Sequence, residues 1–289
     1  MLPRHPSARG IGMALIGVAI LTPDTLLMRW SGLDGWTMMA WRGVLEATVL
    51  LGVTALWAPA ALRAPLTRAG WPVALALGSS SICFALAVHA TAVGLVLLSL
   101  ATTPLAAALV SRWLLGEHTR PVTWLWMALA ISGLAVTLSD NVNWQAGAGQ
   151  PWLGVALALG AAMSLATGLV WARQTPTLPM LPVTGTGALL AGLTGLIFSD
   201  NLLPPTLVWG PTLAMGLVVL PLSFALITRA PRLTAAANVS LIMLLETVLG
   251  PLWVWWGVGE RLSLGMWVGG GITLAAIALH VLSESRRRG

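Results

Sequence analysis

The sequence has no lysine and no tyrosine, a single cysteine, and little charge of either sign: only 8% of its 289 residues are charged. Without lysine there is no Schiff-base chemistry, no P-loop lysine and no Ser-x-x-Lys dyad. Ser139-Asp140-Asn141 and Ser199-Asp200-Asn201 echo a penicillin-binding motif, but the lysines that motif requires are missing, so both read as loop signals. One cysteine, Cys83, forms no intramolecular disulfide and no paired-Cys metal spacing. The four histidines are scattered, and neither His-Glu-x-x-His nor Gly-x-Ser-x-Gly occurs. We therefore expect no metal, no cofactor and no catalytic residues. The shortage of charge excludes more. A soluble domain is about 25% charged, and a chain this poor in charge cannot cover a globular surface with polar groups.

What is present points to a bilayer. Hydrophobic residues make up 57% of the chain, mean hydropathy is +0.87, and Gly numbers 31. A membrane helix needs about 20 apolar residues. Ten apolar runs can be marked: Gly10 to Met28, Trp36 to Trp57, Trp71 to Val88, Thr91 to Leu115, Pro121 to Ser139, Trp152 to Trp171, Met180 to Phe198, Thr206 to Ile227, Leu233 to Gly257 and Ser263 to Leu282. Breakers separate them, among them Ala58-Pro59, Asp140-Asn141, Thr175-Pro176 and Pro204-Pro205. The third and fourth runs nearly merge around His89, so eight or nine helices are the alternative count. No small-x-small cleavage site follows the first run, and we read it as a retained helix. The expected fold is an all-α integral membrane protein. Sixteen Trp residues take the interfacial role that Trp and Tyr usually share.

The net charge of +6 comes entirely from arginine. These residues are dispersed over short loops, which argues against nucleic acid; the one cluster, Arg286 to Arg288, suits lipid headgroups. With a cytoplasmic N-terminus, twelve arginines fall on the inner side against Arg29 and Arg261 on the outer, and Arg42 lies within a span. Both termini are then cytoplasmic, the span count is even, and a bacterial-type inner membrane is expected.

A duplication runs through the chain. At an offset of 143 residues Trp113 falls on Trp256, Gly116-Glu117 on Gly259-Glu260 and Trp124 on Trp267. Each copy has an odd number of helices, so the two enter the membrane in opposite senses. That is the inverted-repeat plan of secondary transporters, with a site near the midplane. The expected units are residues 1–140 and 151–289, two five-helix repeats making ten transmembrane helices.

These residues resemble a family. Pro104 to Gly116-Glu117, with Trp124 to Gly133, looks like the end of an EamA-type repeat of the drug/metabolite transporter superfamily. Leu245 to Trp253, on to Gly259-Glu260, is similar to that family's second repeat. Arg42 matches a position where such repeats often have Arg. His89-Ala90-Thr91-Ala92 is similar to a junction of some members, with Gly94 where Asn is expected. The resemblance implies export of amino acids, other metabolites or drugs, without specifying which.

Ionisable residues inside a span are costly and each is a functional hypothesis. Glu246 lies midway along the ninth run, either as a protonatable carboxylate on a central cavity or as a structural partner. Asp24 follows Pro23 and either serves function or satisfies backbone groups the proline frees. Arg42 and Glu46, one turn apart, are expected to pair along their helix; the alternative has Arg42 meeting a substrate carboxylate. His89 is read as a cap or as a proton shuttle. Asn238 and Thr103 are polar positions that either contact substrate or hold helices together.

The reading is a secondary transporter of a small-molecule metabolite, such as an amino acid or related compound, working by alternating access. Export is the expected direction, and with no nucleotide motif the choices are facilitated diffusion, proton antiport and exchange. The partners are the substrate, the lipid bilayer and, under antiport, protons. A membrane-embedded enzyme or a non-transporting membrane partner is the alternative. The oligomeric state is not legible.

Overall fold

The computed structural model describes residues 8–33, 35–90, 96, 99–139, 151–259 and 264–285. They form helices and connecting turns, with no strand among the described residues. In chain order the helices are α1 (Ala8–Leu21), α2 (Asp24–Ser31), α3 (Gly35–Trp57), α4 (Gly70–Ala90), α5 (Thr103–Leu115), α6 (Pro121–Ser139), α7 (Pro151–Gln174), α8 (Met180–Phe198), α9 (Trp209–Leu213), α10 (Leu220–Ile227), α11 (Ala236–Val258) and α12 (Leu264–Ser285). Short 3-10 turns cover Pro59–Leu66 and Ala230–Arg232, and a π-helical segment, Ala214–Val219, joins α9 to α10.

Among the described residues, seven helical stretches are long and apolar enough to cross a membrane, which makes this a multi-pass membrane protein. The other three expected runs coincide with shorter apolar helices, Thr103–Leu115, Pro121–Gly133 and Trp267–His280. Length therefore leaves the count of ten open. The run from Thr91 to Leu115 is not one helix. A turn closed by Thr102 N–H on the Ser99 carbonyl precedes α5, and Pro104 stands in its first turn, where a missing N–H costs nothing.

The first and eighth runs are also interrupted. Thr22 and Pro23 separate α1 from α2, and the π segment divides the helix between Trp209 and Ile227. Both breaks fall beside the central cavity.

Packing relies on small residues, because lipid tails compete with apolar side chains and leave close backbone approach as the main attraction. The α3 and α8 helices approach closely: a Cβ on Gly43 would lie 2.4 Å from the Gly192 nitrogen, and one on Gly195 would lie 2.4 Å from the Ala40 nitrogen. The α4 helix lies on α7 and α8, α5 on α7 and α11, α1 on α10 and α11, and α6 on α12. A buried core of Ala14, Val18, Ala107, Leu169, Ile227 and Leu241 joins elements from both halves of the chain. Outside it Trp57, Trp113, Trp152 and Trp256 are exposed near helix ends, where indole suits the membrane interface.

Gly116 and Gly259 close α5 and α11 with φ of 64° and 76°, each donating its N–H to the carbonyl four residues back. Nothing lies within 4 Å of a Cβ at either. The left-handed conformation, and not space, is what asks for glycine.

Candidate functional site

The chain break at Thr22-Pro23 sets up the site. Pro23 has φ −74° and ψ −6° and begins a new turn, so Asp24 becomes the first residue of α2. The α11 helix fastens this break: Trp253 Nε1 donates to Thr22 Oγ1 at 3.0 Å. Asp24 is then held inside the protein, its side chain 3% exposed. A carboxylate in the first turn of a helix is favoured by the peptide dipoles.

On α3 the Gly43 contact with α8 orients the neighbouring positions. With one strip pressed on α8, Met38, Met39, Arg42 and Glu46 line a cavity of about 540 Å³. Arg42 Nη1 lies 2.8 Å from Asp24 Oδ2. The pair joins α3 to α2 across the interior. Asp24 Oδ1 is buried with no hydrogen-bond partner, so one carboxylate oxygen carries the whole contact. The expected pairing of Arg42 with Glu46 is not what forms. The less favourable order of charges, Arg preceding Glu along the helix, and the desolvated Asp24 facing it explain the choice. Asp24 Oδ1 accepts nothing from the backbone groups freed by Pro23, and Oδ2 is engaged by Arg42.

The π segment completes the arginine's surroundings. Met215, fully buried, places its sulfur 3.9 Å from Arg42 Nη1, while Gly216 lets Leu45 of α3 approach closely. A single wider turn of this kind inside an α-helix is frequent at functional sites. Pro211 and Pro221 flank it, and Pro221, following the segment directly, removes a backbone donor from the regular ladder. They are the one signal in the sequence from which this irregularity was readable.

Glu246, midway along α11, lines the same cavity and is half-buried. Arg42 and Asp24 lie close enough to act on both Glu46 and Glu246. The structure thus gathers Asp24, Arg42, Glu46 and Glu246, from three helices, at one place. Ser80, Ser81, Thr184, Phe84 and Phe224 supply other parts of the wall. Thr103 and Asn238 do not line the cavity. Thr103 Oγ1 donates to the Leu100 carbonyl at 2.5 Å, and Asn238 Nδ2 donates to Thr234 Oγ1 at 3.2 Å, both buried. His89 falls in the last turn of α4, and its side chain lies outside the described residues. No group of three metal-ligating side chains occurs among the described residues.

The cavity has unlike ends. At one it reaches Arg29 and Gly35, both exposed. At the other, beyond Thr184 and Phe224, the protein is closed: Thr184 Oγ1 donates to Thr228 Oγ1 at 3.3 Å, with both buried. Arg173 of α7 secures this end. Its Nη2 lies 2.7 Å from Glu117 Oε1, and its Nη1 donates to the carbonyls of Pro231 and Thr234. Arg232 donates in the same region to the Leu178 carbonyl. Glu117, which recurs with Gly116 at the offset of 143 residues, anchors a buried arginine.

The model of the EamA-like transporter family matches residues 152–282. No curated protein matches the chain. Among solved structures, one described only as "Crystal structure of protein" is similar over 97% of this chain and 99% of its own, at 18% identity and a TM-score of 0.78. That likeness is one of fold, and it extends over both halves.

Proposed function

We propose that this multi-pass membrane protein, whose residues 152–282 match the EamA-like transporter family, is a member of that family and a secondary transporter working by alternating access. Its cargo is a small metabolite, an amino acid or a related compound, and its direction is export across a bacterial-type inner membrane with both termini in the cytoplasm. The observation that carries this reading is the cavity. About 540 Å³ is room for a small organic molecule, the walls come from both halves of the chain, and buried ionisable groups meet there.

One exposed end and one end closed by Arg173 are what one facing state of such a transporter requires. The opposite state needs a second arrangement of the same parts, and a duplicated chain supplies it. We assign the two units to residues 1–140 and 151–289, pairing α1–α2 with α7, α3 with α8, α4 with α9–α10, α5 with α11, and α6 with α12. Exchanging the units turns the α4–α7 contact into α1–α10 and the α5–α7 contact into α1–α11; the α3–α8, α5–α11 and α6–α12 contacts map onto themselves. The left-handed Gly116 and Gly259 recur at the offset of 143 residues. Both features support inverted repeats.

Solute flux into proteoliposomes, run as a screen of amino acids and related metabolites, tests the proposal. Protein-dependent, saturable flux of one solute class is expected; no flux of any class overturns it. Reporters fused after Asn143 and after Arg288 test the orientation, and the same side for both overturns it.

A further inference from the structure

We propose that the protein binds one anionic phospholipid at its closed end, with the phosphate on Arg229 and Arg232 and an acyl chain in the crevice between α3 and α8. The site shares no lining residue with the central cavity. Binding is read without any measurement of flux, so the claim stands apart from the transport reading.

The crevice has a volume of about 170 Å³ and lies where α3 ends, the Pro59–Leu66 turn begins and α8 starts. Val53, Trp57, Ala61, Met180 and Leu181 make its wall apolar, and Arg229 is its charged lining residue. Trp57 is 87% exposed, an indole at a helix end that marks the level of the lipid headgroups. An apolar crevice opening at that level, with a cation on its rim, has the two-part character of a lipid: hydrocarbon inside, phosphate outside.

The charges at this end call for an anion. Arg229 lies close enough to Arg232 for the two to repel. Among the described residues Arg229 has neither an ion pair nor a side-chain hydrogen bond. Arg232 gives one nitrogen to the Leu178 carbonyl, while its Nε is buried without a partner. Glu117, the described carboxylate of the closed end, is held by Arg173 at 2.7 Å. Two neighbouring guanidinium groups with no acid between them are matched from outside the chain. Guanidinium forks bind phosphate oxygens through paired N–H donors, and basic pockets on the cytoplasmic side of membrane helices take anionic headgroups.

The position of the two arginines gives the lipid a consequence. They bracket Ala230 and Pro231, and the Pro231 carbonyl accepts from Arg173. Thr228, just before Arg229, accepts from Thr184. A phosphate shared by Arg229 and Arg232 ties down the turn that carries the contacts closing this end. A ligand that binds one arrangement in preference to another stabilises the one it binds, so the lipid favours the closed arrangement.

The test titrates the full chain in detergent with dioleoylphosphatidylglycerol, dioleoylphosphatidylcholine and glycerophosphate, and counts bound molecules by native mass spectrometry. One phosphatidylglycerol should bind roughly tenfold more tightly than phosphatidylcholine, whose choline brings a further cation to the pair. Arg229→Gln should weaken it by about tenfold. Ala58→Trp, on the exposed rim, fills the crevice with both arginines in place and should also weaken it. Arg68→Gln, an exposed arginine outside the crevice, should leave it unchanged. Monodisperse elution and wild-type melting without added lipid check that the variants fold. Phosphatidylglycerol should also slow amide hydrogen exchange over residues 225–235 in the wild type and not in Arg229→Gln. Equal affinity for phosphatidylcholine, unchanged affinity in Arg229→Gln or Ala58→Trp, or an equal loss in Arg68→Gln overturns the site. Displacement by glycerophosphate at equal concentration makes it a site for free phosphate esters and overturns the lipid as occupant. Exchange over 225–235 that lipid leaves untouched overturns its hold on the closed end.

Discussion

Arg42 reaches across from α3 to Asp24 on α2, Nη1 to Oδ2 2.8 Å, and so leaves Glu46, one turn further along its own helix, without a positive partner. One choice of partner decides the chemistry of the cavity. Had the arginine paired within its helix, Asp24 would be a buried charge with no counter-ion and the cavity would hold one surplus carboxylate instead of two. As it is, the pair joins a broken helix to a continuous one, and the acidity is displaced to the cavity wall.

Removing Arg42 should therefore be more damaging than removing Glu46. Asp24 is 3% exposed, and breaking a buried pair from one side costs about 3–5 kcal/mol. Arg42→Gln should lower the thermal midpoint in detergent by that order, and adding Asp24→Asn should recover part of the loss. Additive effects of the two substitutions would show that the pair is not coupled.

Glu246→Gln keeps the size of the side chain and removes its titration. Flux driven by a pH gradient should be lost in the variant while folding is retained. Wild-type pH dependence in Glu246→Gln would make the residue structural.

At the closed end, Arg173 and Glu117 should behave unequally. Arg173 is 5% exposed and serves the carbonyls of Pro231 and Thr234 as well as Glu117. Arg173→Gln should destabilise by about 3 kcal/mol or more, because buried carbonyls lose their donor. Glu117 is 30% exposed, so Glu117→Gln should cost about 1 kcal/mol at most after screening by solvent. Thermal unfolding of the two variants side by side checks the order.

The α3–α8 contact gives a sharp steric contrast. Gly43→Ala would put a methyl group 2.4 Å from backbone of α8, whereas Gly12 has nothing within 4 Å of its Cβ position. Overpacking typically costs about 1–3 kcal/mol, and here the neighbour is main chain that cannot rotate away. Gly43→Ala should melt lower and lose ligand binding; Gly12→Ala should melt no lower than wild type. Equal melting would mean that α3 and α8 separate easily.

Much of this molecule was legible from composition and spacing. Apolar runs and proline breakers located the helices, because a chain in lipid must satisfy its backbone within each segment. The recurrence of Trp and Gly-Glu at a fixed offset anticipated the matching glycine caps of α5 and α11. Intramembrane charge alone singled out Asp24, Arg42, Glu46 and Glu246, since burying an ionisable group is expensive enough to mark it. Asn238 and Thr103, read either as substrate contacts or as holding helices together, spend their hydrogen bonds on neighbouring turns of chain. A neutral polar group can satisfy itself locally, so its presence in a span carries little information.

Only the tertiary structure decided which carboxylate holds the arginine. Residues at positions 24 and 42 meet because Pro23 ends one helix, Trp253 of α11 fastens the break, and Gly43 presses α3 onto α8. None of those three contacts is local in sequence. Helical periodicity ranks Glu46 as the neighbour of Arg42, but it is blind to a desolvated acid arriving from another helix. The sequence by itself determined that charges would be buried in a membrane; packing determined which would be matched and which would face the cavity.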